Sequence, residues 1–254
     1  MIKTTDFIIE NGELLGYTGG GGRIAVPDGV LYIGEDAFRG NKKIKEVIIP
    51  ESVKEIRKHA FYWCVNLEKA TPGKNVELLG SGAFAYCEKL TEFVMPDSVK
   101  DMGEWLFYNC LKLNKIVFSK NVKVVGDNML AATGLKDFVL PAHIEKIGKG
   151  AFQGSKIESF KAGGGLKEIG VIAFEKCFSL KTVSLSEGLK KIDIWAFNHC
   201  PKIEELRVPA SVEFVGSHAF HGFTNKQKVY VKKAAVKGYS AEWKDGSEAL
   251  IFEE

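Results

Sequence analysis

The chain lacks an apolar run approaching the roughly 20 residues of a membrane-crossing helix, which excludes a helical span. It also lacks charge of one sign. Its 35 Lys and Arg are interspersed with 32 Asp and Glu, for a net charge of +3. No basic run is long enough to bind nucleic acid or an anionic membrane. Cysteine is sparse and never paired in sequence. Cys64, Cys87, Cys110, Cys177 and Cys200 are at least 23 residues apart, which excludes the C-x₂₋₄-C spacing of metal sites. The N-terminal stretch MIKTTDFIIENGELLGY has neither the apolar core nor the cleavage pattern of a secretory signal. The chain is therefore expected to stay in the cytoplasm or to have lost an export signal. Thr18 to Gly22 (TGGGG) has no following Lys-Ser/Thr and no helix start. It reads as a connector, not as a phosphate cradle. His59, His143, His199, His218 and His221 show no triad or cluster spacing and read as solvated surface residues. No catalytic residue, cofactor or metal site is expected.

What the chain does have is a repeat. Ala-Phe recurs at Phe38, Phe61, Phe84, Phe152, Phe174, Phe197 and Phe220, and Leu106-Phe107 and Met129-Leu130 fill the gaps. Consecutive spacings are 23, 23, 23, 23, 22, 22, 23 and 23 residues. A fixed period of this length indicates stacked coils that bury their apolar side against each other. Eight residues before the Phe lie Val30, Val53, Val76, Val99, Val122, Ile144, Leu166, Leu189 and Val212. Five before it lie Ile33, Ile56, Leu79, Met102, Val125, Ile147, Ile169, Ile192 and Val215. Gly precedes the Phe by four, with Arg57 and Asp193 as exceptions. All five cysteines lie three after it and read as small buried apolar residues. That column breaks after Leu130 and Phe152, where the repeat is also one residue shorter. Strand-like triplets such as Val47-Ile48-Ile49 and Phe93-Val94-Met95 precede each V-x-x-I segment, and a helical turn is predicted around A-F-x-x-C.

The motif V-x-x-I-G-x-x-A-F-x-x-C-x-x-L-x-x-φ-x-φ-P, in register over nine copies, resembles the BspA-type leucine-rich repeat of bacteria. The resemblance implies an α/β repeat fold. This is a right-handed solenoid of about nine coils, with a curved parallel sheet on its concave side and short helical turns opposite. It also implies adhesion or protein recognition without catalysis. One domain is expected over 1–254, with repeats over 23–223. Residues 1–22 are expected to form a hairpin cap and a Gly-rich connector, the hairpin turning at Asn11-Gly12. Residues 224–254 are expected to form a strand-helix cap with Val236, Tyr239 and Trp243 on one helix face. A monomer is expected.

Three outward faces can carry a partner. The slot just before the triplet alternates in sign through Arg23, Glu46, Lys69, Glu92, Lys115 and Asp137. This suits register-setting between laddered neighbours as well as recognition. The central slot runs Ala25, Ile48, Thr71, Val94, Val117 and Val139, then Lys161, Ser184 and Arg207. Its first part is either an apolar binding stripe or simply strand-forming residues. Tyr62, Trp63, Tyr86, Trp105 and Tyr108 occupy variable slots of the turn. Such aromatics either anchor a partner or lean on adjacent coils. The leading function is thus a non-catalytic protein-recognition module. The alternatives are a cell-surface adhesin for host or matrix proteins, and an enzyme, for which no residue pattern speaks.

Overall fold

Each repeat lays down two short strands, and each strand finds its partner one period away. A computed structural model describes residues 4–232 and 238–253. It comprises two compact units, one ending at Val122 and the other beginning at Lys123.

In the first unit, Phe7–Glu10 and Glu13–Tyr17 form an antiparallel hairpin. Asn11 (φ 51°) and Gly12 (φ 79°) make its turn, both in the left-handed region that this dipeptide suits. The second hairpin strand pairs in parallel with Tyr32–Ile33. The sheet continues through Glu55–Ile56, Leu78–Leu79 and Asp101–Met102. A second parallel sheet joins Gly22–Ala25, Ile44–Ile48, Lys69–Thr71, Glu92–Val94 and Lys115–Val117. The hairpin covers the Phe column through Tyr17, whose ring lies 4.8 Å from Phe7 and 5.6 Å from Phe38.

The second unit repeats the scheme. Val124–Val125, Lys146–Ile147, Glu168–Ile169, Lys191–Ile192 and Phe214–Val215 form one parallel sheet. Asp137–Val139, Ser159–Lys161 and Thr182–Ser184 form another, and Glu205–Arg207, Lys228–Val231 and Leu250–Glu253 a third.

The predicted helical turns do not form. The A-F-x-x-C segment is a pair of tight turns, because the residues two before and two after the Phe position both have positive φ. These are His59 and Trp63 around Phe61, Ile172 and Lys176 around Phe174, and Trp195 and His199 around Phe197. Left-handed residues interrupt a right-handed helix. Backbone donors then alternate in direction. His59, Phe61 and Trp63 donate to Ser81, Ala83 and Ala85 of the next coil, whereas Ala60, Tyr62 and Cys64 donate three residues back within their own. Half of the turn's hydrogen bonds thus tie one coil to the next.

The predicted end helix is also corrected where it can be seen. Val236 lies outside the described residues, and 241–246 are turns. Tyr239 and Trp243 are buried as expected, with Trp243 edge-on to Phe220 at 6.0 Å. The unit ends on the strand Leu250–Glu253, not on a helix.

All nine residues of the Phe column are buried. Their rings stack at a repeat distance: Phe38–Phe61 4.8 Å, Phe61–Phe84 5.1 Å and Phe84–Phe107 5.8 Å in the first unit. In the second, Phe152–Phe174 is 5.0 Å and Phe174–Phe197 5.2 Å. The cysteines are buried and unbridged. Each thiol donates to the carbonyl of the preceding coil's Phe. Cys64 reaches Phe38 O at 3.0 Å, Cys87 reaches Phe61 O at 3.2 Å, and Cys200 reaches Phe174 O at 3.0 Å. This explains why a small residue with a weak donor recurs there. Where the Cys column breaks, Thr133 and Ser155 hold the same place, and both are buried. The Thr133 hydroxyl donates to Leu130 O at 2.8 Å, keeping a donor inside the shortened coil.

Burial pushes the Cys64 thiol up to about 12 and also raises Cys87 and Cys110. A buried, protonated thiol is a poor nucleophile. Ellman's reagent on the folded protein is expected to label none of the five within minutes, and all five after denaturation. Rapid labelling of the native protein would show that the column is open.

Candidate functional site

The charged slot aligns as expected. Within the first unit, Arg23 pairs with Glu46, Glu46 with Lys69, Lys69 with Glu92, and Glu92 with Lys115 in strand register. Two of these approach as ion pairs, Arg23–Glu46 at 3.7 Å and Glu92–Lys115 at 3.5 Å. Similar pairs join coils elsewhere, including Glu51–Lys74 and Asp97–Lys120 at 2.8 Å and Glu77–Lys100 at 3.3 Å. Exposed pairs of this kind add little energy each. Their regular spacing along the coils suits register more than recognition.

The central slot faces outward. Val94 (50%), Val117 (43%) and Val139 (67%) are exposed, while Ile48 is half-buried. Thr71 interrupts the apolar run between Ile48 and Val94. A shallow groove of about 470 Å³ runs beside this slot, lined by Thr71, Val94, Pro72, Pro96 and the charged Lys69 and Glu92.

The turn face of the first unit differs in kind. Coils contribute side chains here from three slots: one and two residues after the Phe, and two before it. Tyr62, Trp63, Tyr86, Trp105 and Tyr108 meet in one continuous cluster. Tyr86 stands edge-on to Tyr62 (5.3 Å), Trp63 (5.9 Å) and Tyr108 (5.4 Å), and Trp105 is edge-on to Tyr108 at 4.8 Å. His59 joins through Tyr62 at 4.8 Å. The cluster is packed and also presented: Trp63 is 53% exposed and Trp105 42%. Both readings of the aromatics are therefore compatible, because neighbouring rings support each other and leave two indoles facing solvent. Partial burial, followed by the positive charge of Lys58, lowers the His59 pKa, which keeps its ring neutral near pH 7. Burial and the adjacent Tyr108 raise that of Tyr86.

The structure thus gathers the five aromatics named from the sequence into one surface. Ile48, Val94 and Val117 belong to the triplet strands and take no part in that cluster's ring contacts, and Val139 lies in the second unit.

Two groupings went unrecognised in the sequence. In the second unit, His199, which is exposed, and the half-buried His218 and His221 are grouped and not separate. His221 lies 5.3 Å from His199 and 5.8 Å from His218. Trp195 stacks on His221 at 6.1 Å. Asn198, buried, receives both His199 Nδ1 (2.5 Å) and His221 Nδ1 (3.0 Å) on its Oδ1, and donates to Glu175 at 2.9 Å. Gln153 donates to the same carboxylate. The signal was the slot one after the Phe, which reads Gln153, Glu175, Asn198 and His221 in successive coils. In the first unit, Glu35, Asp36 and His59 bring their ligand-capable atoms within 4.8 Å. Asp36 is already engaged by Arg39 at 3.2 Å, so the arrangement is accounted for as a surface ion-pair group.

Residues 22–136 and 125–237 match the profile of the BspA type leucine rich repeat region, with six copies. This chain belongs to the BspA-type leucine-rich repeat family. A solved leucine-rich repeat protein of T. pallidum shares the fold. It has 24% identity and a TM-score of 0.56, covering 80% of this chain and 90% of that one. The pneumococcal vaccine antigen PcpA aligns at 16% identity over 97% of this chain and 95% of its own, with a TM-score of 0.49. A leucine-rich cell surface protein of Faecalibacterium prausnitzii aligns at 18% identity over 97% and 92%, with a TM-score of 0.46. No match was found among curated proteins. In this BspA-type chain the repeat consensus accounts for the Phe, Cys and Val/Ile columns. The aromatic cluster and the Gln153-to-His221 ladder occupy slots where coils differ. No helix among the described residues is long and apolar enough to cross a membrane.

Proposed function

We propose that the protein is a non-catalytic recognition module that holds a protein partner on the aromatic turn face of its first unit. The observation that supports this most is the exposure of Trp63 and Trp105 at the two ends of a mutually supported ring cluster. Aromatic side chains that are rigid before binding lose little entropy on binding and dominate interface energy. The triplet face is the weaker candidate, since Thr71 and charged neighbours break its apolar stripe.

The test is recovery of partners by immobilised protein. The double variant Trp63→Ala/Trp105→Ala is expected to lose tenfold or more of specifically bound protein, consistent with two hot-spot truncations of about 1–2 kcal/mol each. Val94→Asp/Val117→Asp is expected to retain wild-type recovery. Equal recovery by wild type and the tryptophan variant would overturn the assignment, and loss confined to the valine variant would move the site to the triplet face. A role as an adhesin is the same recognition directed at a host or matrix protein. It rests on the family alone and requires an export signal at the start of the native gene.

A further inference from the structure

The aromatic turn face is a filled ridge. Tyr62 and Tyr108 hold the same slot two coils apart. The Tyr86 ring of the coil between them stands edge-on to both, at 5.3 and 5.4 Å. Ala85 beneath it is only 1% exposed. Nothing can enter between these rings, so a ligand must lie across them. Trp63 belongs to the first of the three coils and Trp105 to the third, and both indoles face solvent.

The backbone under the ridge cannot take a partner strand. Gly82 N donates to Glu104 O at 2.9 Å and Tyr86 N to Tyr108 O at 2.7 Å, as His59 N and Trp63 N donate to Ser81 O and Ala85 O one coil earlier. Recognition therefore falls to side chains, and these offer ring faces and donors. Among the described residues, neither the Trp63 nor the Trp105 indole N–H has a hydrogen-bond partner, and an indole only donates. The charges at the first coil are turned to each other, Lys58 to Glu35 at 3.3 Å and Arg39 to Asp36 at 3.2 Å. No described Lys, Arg, Asp or Glu lines the shallow cavity of about 330 Å³ beside the ridge.

A complementary segment is apolar, brings free carbonyl acceptors and has few N–H groups to leave unsatisfied. A proline-rich segment in the polyproline II conformation has this chemistry. Proline has no N–H, and the conformation makes no internal hydrogen bonds, so its carbonyls stay free. Spacing agrees. Coils stack about 4.8 Å apart, which puts Tyr62 and Tyr108 about 9.6 Å apart along the stack. Polyproline II turns once in three residues at about 3.1 Å each, so one side of it recurs about every 9.3 Å.

We infer that the ridge is a docking site for a proline-rich segment of the partner. The segment lies along the coil stack, with prolines three residues apart on Tyr62 and Tyr108 and carbonyls accepting from the two indoles. This deepens the recognition reading and rests on it, but its test needs no partner. The probes are three capped dodecapeptides, (Pro-Ala-Ala)₄, (Pro-Ala-Ala-Ala)₃ and (Gly-Ser)₆. Each is titrated against the ¹⁵N-labelled full chain while the Trp indole N–H resonances are followed. Trp195, in the second unit and 41% exposed, is the internal control. The first peptide is expected to shift the Trp63 and Trp105 resonances and to leave that of Trp195 in place. It is expected to bind about tenfold more tightly than (Gly-Ser)₆, because it is extended before binding. (Pro-Ala-Ala-Ala)₃ loses the three-residue period and should bind less tightly than (Pro-Ala-Ala)₄. Trp63→Ala, at a side chain more than half exposed, should keep the fold and weaken (Pro-Ala-Ala)₄ about tenfold.

Equal affinity for the three-residue and four-residue periods would overturn the assignment. So would a Trp195 shift as large as that of Trp63, undiminished binding by Trp63→Ala, or no response to any peptide. A stronger response to cellotetraose would make the ridge a sugar platform and overturn it as well. If these tests fail while partner recovery still depends on Trp63 and Trp105, the ligand assignment falls and the recognition face stands.

Discussion

Phe107→Ala is expected to cost about 3–5 kcal/mol of stability, read as a shift in the urea midpoint at unchanged slope. The ring is fully buried and has close aromatic partners on two sides, Phe84 at 5.8 Å and Phe93 at 4.9 Å. Removing it deletes most of a buried aromatic side chain and leaves a cavity that these neighbours cannot fill. They are held by their own coils, because the backbone on either side is tied across coils. Phe84 N, for example, donates to Leu106 O at 3.0 Å. The loss should therefore be a packing loss with little relaxation, at the upper part of the range for core truncations. Truncating a ring of the half-buried turn cluster, such as Tyr108, should cost less. A Phe107→Ala change below about 1 kcal/mol would show that the Phe column does not carry the core.

The second large effect is expected at a glycine. Gly103 lies four before Phe107, and a Cβ there would sit 2.2 Å from Ser81 N and 2.5 Å from Ser81 Cα. The contact is with backbone, so no side chain can rotate away. Gly103 N also donates to Leu79 O at 2.8 Å, which holds the two coils at that approach. Gly103→Ala is expected to destabilise by about 1–3 kcal/mol, the usual cost of overpacking. Thermal melting checks it: wild-type stability in Gly103→Ala would mean that the coils can separate locally without loss. Arg57 and Asp193 fill the same slot in two other coils. A Cβ on Gly80 or Gly216, in the same slot, would meet the equivalent backbone nitrogen of the preceding coil at 2.4 and 2.5 Å, so a similar cost is expected at those coils.

These two residues also mark how far the sequence could be read. The Phe column was legible because nine copies at one period leave a single consistent alignment, and burial follows from alignment. The outward direction of Val94 and Val117 was legible for the same reason: strand alternation leaves only one side for them once the flanking positions are assigned inward. The turn was misread as helical. Its left-handed positions carry only a partial composition signal, since Asp36, Gly82, Asn128 and Gly150 share a slot with His59, Trp105, Ile172 and Trp195. The dihedral is imposed there by hydrogen bonds to the next coil, not by the residue that adopts it.

The histidines were missed for a related reason. His199 and His221 are 22 residues apart and in different slots of the repeat. Their meeting depends on Asn198 reaching both with one carbonyl oxygen. A cavity of about 330 Å³ lined by Tyr62, Ser81, Gly82, Ala85, Trp105 and Tyr108 shows the same limit from the other side. The large residues Tyr62, Trp105 and Tyr108 stood out in the sequence. Ser81, Gly82 and Ala85 did not, although their smallness makes the cavity.

The sequence by itself determined the period, the family, the buried columns and the faces left over for function. It could do so because repetition averages out local ambiguity and each coil must bury the same side. Only the tertiary structure decided the handedness of the turns, the closure of the chain's last strand onto its neighbour, and which variable residues share a surface. Those depend on stacking at about 4.8 Å per coil. That spacing brings residues 22 or 23 apart into contact.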